Sequence, residues 1–146
     1  FLGGGAVMMA SGGAGNLLTV AAAFGLAYAV MVTATMRISG HLNPAVTLGF
    51  LVTRRIQPTM AALYVVAQLA GAMAAAYAQK ALLPAEVFAA ARGGAPSIAI
   101  QISGGEAFLV EAIATFLLVF VVFGTAVDPQ APKIGGFAIG LTITVS

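Results

Sequence analysis

The sequence predicts an all-α membrane protein, a bundle of transmembrane helices broken by one re-entrant half-helix. Three observations carry this. Charged residues are 7% of the chain and hydrophobic residues 61%, whereas a soluble domain carries about 25% charge to wet its surface. The apolar residues are gathered into charge-free stretches long enough to cross a hydrocarbon core of roughly 30 Å. One further apolar stretch is too short to cross, and it opens on Asn43-Pro44, a strong helix start.

Composition also excludes whole classes of function. There is no Cys, which removes disulfides, thiol catalysis and thiolate metal sites. A single His without clustered carboxylates argues against a zinc or di-metal centre. The six basic residues are too scattered to track nucleic acid. No nucleophile–base pair or cofactor motif is visible, so the chain does not read as an enzyme. Phe1 begins an apolar run with no basic segment before it, unlike a signal peptide.

Taken in order, residues 1–10 read as the tail of a first helix. Ser11–Asn16 is a Gly-rich turn. Leu17–Met36 is a charge-free second helix of roughly 20 residues, enough to span. The segment 38–53 is the re-entrant loop and half-helix. A third span covers 56–79, with Pro58 suited to its first turn. Residues 80–105 form a long loop containing Pro84, Gly93, Gly94 and Pro96. A fourth span covers 107–127 and is interrupted only by Glu111; a polar turn, Asp128–Lys133, follows. Residues 134–146 start a fifth helix and are too few to finish it. The spacing Gly136-x-x-x-Gly140 in that helix suits close helix–helix packing. The whole is expected to be one partial transmembrane domain over 1–146, truncated at both ends.

Orientation follows from the basic residues. Arg37, Arg54, Arg55 and Lys133 fall on one side, and Lys80 and Arg92 on the other, which makes the first side cytoplasmic. A faint internal repeat is also present. Gly5-Ala6-Val7 has a counterpart in Gly124-Thr125-Ala126-Val127, and Ala23-Phe24-Gly25-Leu26 in Ala138-Ile139-Gly140-Leu141. The paired elements would have opposite topology, an incomplete inverted repeat of the kind that builds transport sites at the repeat interface.

The half-helix carries the chemistry. Pro44–Thr53 is about 15 Å long, half of the hydrocarbon thickness. It is too apolar for a loop and too short for a span. Non-helical backbone at membrane depth is tolerated where it lines a water-filled cavity, so Ser39–Leu42 is expected to face one. If the Asn43 oxygen caps the N–H of Ala45 or Val46, its NH₂ is left as a pair of donors with no acceptor capacity. The helix N-terminus adds about half a positive charge. A water there presents its oxygen to Asn43 and cannot relay a proton, and cations meet a positive barrier.

The run Ser39-Gly40-His41-Leu42-Asn43-Pro44-Ala45-Val46-Thr47, with Gly49 after it, resembles the first Asn-Pro-Ala signature of the aquaporin, or major intrinsic protein, family. Ala23-Phe24-Gly25-Leu26, Tyr64-Val65-Val66-Ala67-Gln68 with Gly71, Val110-Glu111 and Ala138-Ile139-Gly140-Leu141 resemble motifs of its second to fifth helices. The resemblance covers nearly the whole chain apart from the long loop. It departs in one place, since the family usually has one more residue between Ser39-Gly40 and His41. Asn43 follows Gly25 in the first repeat, and the same interval after Gly140 falls at about residue 158. The second Asn-Pro-Ala, the Arg after it and a sixth helix are therefore expected beyond Ser146. The helix-five filter position falls at about residue 147.

The resemblance implies a passive water channel that excludes ions and protons, needs no cofactor, forms a homotetramer and sits in the plasma (cell inner) membrane. It implies pore or selectivity roles for Phe24, Gly40, His41, Leu42, Asn43, Pro44 and Ala45, and support of the re-entrant loops by Gln68 and Glu111. Each has a plainer reading. Asn43-Pro44 is also an ordinary cap, Phe24 a packing aromatic, and His41 a residue that only holds the loop. Gln68 is also interhelical polar glue, and Glu111 a carboxylate snorkelling from a helix end. Two other functions stand beside the water channel. One is a facilitator of small neutral solutes such as glycerol, urea or ammonia, against which Phe24 counts for glycerol, because the family tends to have Trp there. The other is a structural membrane protein with little conductance.

Overall fold

The computed structural model describes residues 1–132 and 134–146. Lys133, one of the basic residues used for orientation, lies outside them. Among the described residues every regular element is helical. In chain order these are α1 (Leu2–Met9) with a wider π-type turn at Ala10–Ala14, α2 (Leu17–Thr35), α3 (Pro44–Val52), α4 (Pro58–Leu82) and α5 (Ala85–Ala90). A 3₁₀ turn (Arg92–Gly94), α6 (Gly104–Val122) with a π-type extension (Phe123–Val127), and α7 (Phe137–Val145) complete the chain.

The helix starts follow local chemistry. Asn16 and Thr19 form a reciprocal capping box at α2: the Thr19 N–H donates to Asn16 Oδ1 at 3.0 Å, and the Asn16 N–H to Thr19 Oγ1 at 3.4 Å. Pro58 occupies the first turn of α4, where a missing N–H costs nothing. The sequence reading starts the fourth span at residue 107, but α6 begins at Gly104. Ser103 and Glu106 make a second capping box, with Ser103 N–H donating to Glu106 Oε2 at 2.8 Å, and this outweighs the poor helix propensity of Gly104 and Gly105.

The region 80–105 also departs from the expected loop. Helix α4 runs on to Leu82, and Pro84 then ends one helix and opens the next. The Ala-rich run Ala85–Ala90 has the propensity to form α5. The 3₁₀ turn uses positive φ at Gly93 (65°) and Gly94 (75°). At the other end, α7 starts three residues later than Ile134. Gly135 takes φ 60°, and the Gly136 N–H donates to Thr33 Oγ1 of α2 at 2.9 Å, so a side chain from another helix caps α7.

Helices α2, α4 and α6 with its extension are long and apolar enough to cross a membrane. Their outer faces remain apolar: Leu26, Val30, Leu63, Leu69, Phe116 and Phe120 are all exposed. Such faces are stable in lipid, where they cost nothing, and not in water. The buried core joins four elements through Val32 of α2, Val46 of α3, Leu118 and Val122 of α6 and Ile139 of α7.

Small residues let α2 and α7 approach closely. A Cβ on Gly136 would lie 2.5 Å from the Ala29 carbonyl oxygen, and one on Gly140 2.5 Å from the Ala29 Cβ. A Cβ on Gly25 would in turn strike Gly140 and Thr144. In lipid, where apolar surface gains nothing by leaving its solvent, this backbone proximity is what holds helices together.

Candidate functional site

The site is built around the start of α3. Asn43 caps it, its Oδ1 accepting from the Ala45 N–H at 2.8 Å, and Pro44 occupies the first helical position. Before the cap, the chain turns sharply. Gly40 has φ 68° and Leu42 φ 37°, and the Asn43 N–H donates back to the His41 carbonyl, closing a γ-turn around Leu42. Positive φ at a branched Leu is strained, and such strain persists only where the surroundings impose it. The surroundings do so here through His41.

His41 is buried at 6% exposure. Its ring packs on Phe50 with centroids 4.1 Å apart and meets Tyr64 of α4 edge-on at 5.3 Å. Its Nδ1 lies 3.4 Å from Thr47 Oγ1. Its carbonyl also accepts from Tyr28 Oη of α2 at 3.5 Å. Thr47 is buried at 1% and accepts from Gln68 Nε2 of α4 at 2.9 Å. Gln68 thus ties α4 to α3, and α3 in turn holds the loop. The Gln68 Oε1 is buried with no hydrogen-bond partner.

Three hollows flank the loop. One, of about 300 Å³, lies between α2, α3, α6 and α7 and is bordered by Gly40, His41, Ser39, Val46, Phe50 and Ile139. A second, of about 370 Å³, is bordered by Phe24, Tyr28, Met31 and Leu42 with Phe1 and Gly3. The third, of about 570 Å³, is bordered by Ser39, Leu42, Met31, Tyr64 and Gln68. Leu42 and Met31 border both the second and the third, and Ser39 the first and third.

The structure therefore brings Phe24, Gly40, His41 and Leu42 to the walls of hollows around one loop. Asn43, Pro44 and Ala45 follow them in the chain at the cap, part-exposed or exposed, and border none of the three. Glu111 differs from the buried acceptor that the resemblance implies. It is exposed on α6. Thr47 and Tyr28 were not read from the sequence. Thr47 is a polar residue one helical turn after Asn43, and Tyr28 lies one turn after Phe24 on α2, so the helical spacing carried the signal.

A bundle of apolar helices long enough to cross a membrane, packed with a short capped helix and a strained loop, defines a helical integral membrane protein. Comparison with known sequences narrows this. The profile described as major intrinsic protein matches residues 1–146. The chain is 39% identical over 142 residues to a rice (Oryza sativa subsp. japonica) protein named probable aquaporin PIP2-8, covering 92% of this chain and 50% of that one. It is 39% identical over 136 residues to aquaporin AqpM of Methanothermobacter thermautotrophicus, covering 90% of this chain and 54% of that one. It is also 39% identical over 145 residues to glycerol uptake facilitator protein-like 6 of Lactiplantibacillus plantarum, covering 98% of this chain and 65% of that one. The chain belongs to the major intrinsic protein family. It spans about half the length of these two aquaporins.

Proposed function

We propose that the full-length protein is a passive water channel that excludes ions and protons. The observation that carries this is the cap of α3. With its Oδ1 committed to the Ala45 N–H, Asn43 has only donors left to offer. The α3 N-terminus adds about half a positive charge at the same point. A water passing there is held by its oxygen, and a cation is repelled. The carbonyl-rich turn Gly40–Leu42 and the Phe24 ring would border the path on either side of the cap. Gln68, through Thr47, braces the half-helix, and Glu111 would brace a second re-entrant loop. The assembly proposed is a homotetramer in the plasma membrane.

A second reading is a facilitator of small neutral solutes, favoured by the likeness to a protein named for glycerol uptake. Phe24 favours water over glycerol through the family resemblance, in which glycerol paths tend to carry Trp at this position. Stopped-flow light scattering on proteoliposomes of the full-length protein tests both. Water flux without glycerol or urea flux is expected. Flux of both supports the facilitator, and flux of neither refutes both readings.

A further inference from the structure

We infer that Gly3 of α1 sets the position of the Phe24 ring and is a positioning residue for passage through the site. The inference rests on the reading of Phe24 as a filter. The Phe24 ring lies directly over Gly3, which is buried. A Cβ at residue 3 would stand 2.5 Å from Phe24 Cδ1 and Cε1 and 2.7 Å from Cζ. Carbon atoms pack at about 3.5–4.0 Å, so no side chain fits while the ring keeps its place.

Either the helix or the ring has to yield, and the surroundings decide which. Helix α1 is backed on its far side. Gln79 of α4, buried at 4% exposure, donates through Nε2 to the Phe1 carbonyl, and its amide lies 3.0 Å from where a Cβ on Gly4 would be. The Gly4 Cα and carbonyl stand 3.0 Å from where a Cβ on Gly94 would be. A helix so wedged between α2, α4 and the 3₁₀ turn has little room to retreat. The ring has room beside it. Phe24 is 40% exposed and borders the hollow of about 370 Å³ shared with Tyr28, Met31 and Leu42. A methyl group at residue 3 therefore drives the ring into the hollow and narrows it. The backbone does not oppose the change, because Gly3 lies within α1 and Ala is the better helix former.

The test is a cycle of Gly3→Ala, Phe24→Ala and the double variant in the full-length protein, read as water and urea flux per protein in proteoliposomes. Gly3→Ala is expected to lose water flux severalfold while still excluding urea. The double variant is expected to match Phe24→Ala alone, since the ring that Gly3 positions is gone. A Gly3→Ala flux equal to the parent overturns the inference, as does a loss that persists undiminished without the ring. Urea still excluded by Phe24→Ala refutes the filter reading on a separate arm. If Gly3→Ala alone lowers the folded yield, recovery of that yield in the double variant supports the collision, and an equal loss overturns it.

Discussion

Replacing Thr47 by Val probes how the loop before α3 is held. The two side chains have nearly the same volume, so the packing of this buried position is kept and only the hydroxyl is lost. That hydroxyl accepts from Gln68 Nε2 at 2.9 Å and lies 3.4 Å from His41 Nδ1. Because Gln68 Oε1 already lacks a partner, the substitution leaves both ends of the amide unpaired. Stranding a buried donor costs about 1–3 kcal/mol in soluble proteins. Interhelical hydrogen bonds in membranes measure lower, averaging about 0.6 and reaching about 1.7 kcal/mol, because the unfolded chain in lipid finds other partners. The expected loss for Thr47→Val is therefore about 1–2 kcal/mol, between these two ranges. Equilibrium unfolding of the full-length protein in mixed micelles, followed by circular dichroism, measures it. Thr47→Ser should keep the Gln68 hydrogen bond and lose only the packing of one buried methyl group. Thr47→Val combined with Gln68→Leu should recover much of the loss, because removing both partners leaves nothing stranded. A single variant within about 0.5 kcal/mol of the parent, or a double variant whose losses simply add, would refute the bracing argument.

Asn43→Asp separates cap from barrier. Asp caps as well as Asn, and its charge suits a helix N-terminus by about 0.3–1 kcal/mol, so the protein should fold while reversal-potential measurements show leakage of cations; a variant that folds, passes water and still excludes cations reduces Asn43 to a cap. Phe24→Ala should admit urea or glycerol in the swelling assay at normal expression, and unchanged exclusion counts against a filter. Gly140→Ala places a Cβ 2.5 Å from the Ala29 Cβ, which forces α7 from α2 and should cost about 1–3 kcal/mol by overpacking; unfolding in the same micelles at the parent's midpoint would contradict the close crossing.

Much of the fold around the candidate site is legible in the sequence. The charge-free runs mark the spans because an ion inside lipid is expensive, and that penalty is local to each residue. Asn43-Pro44 marks the start of α3 because capping is decided within one turn of chain. The spacing of Gly136 and Gly140 announces a close crossing for the same reason, as two missing Cβ atoms on one helical face. The start of α6 at Ser103 was also written locally, in a capping box hidden by two glycines.

What the sequence by itself determined is therefore where the chain enters lipid, where it breaks, and which residues cap the breaks. Which faces meet was decided only by the tertiary structure. Nothing local tells that Gly140 lies against Gly25 and Ala29, that Gln68 finds Thr47, that Phe24 rests on Gly3, or that Gln79 is buried against Phe1. In water, the buried face of a helix is apolar and the free face polar, so periodicity reveals the packing side. In a bilayer the packed face and the lipid-facing face are both apolar, and that signal is lost. The partners of each helix are then chosen by small residues that allow backbones to touch and by a few polar groups that cannot be left unpaired, and both depend on what arrives from elsewhere in the chain.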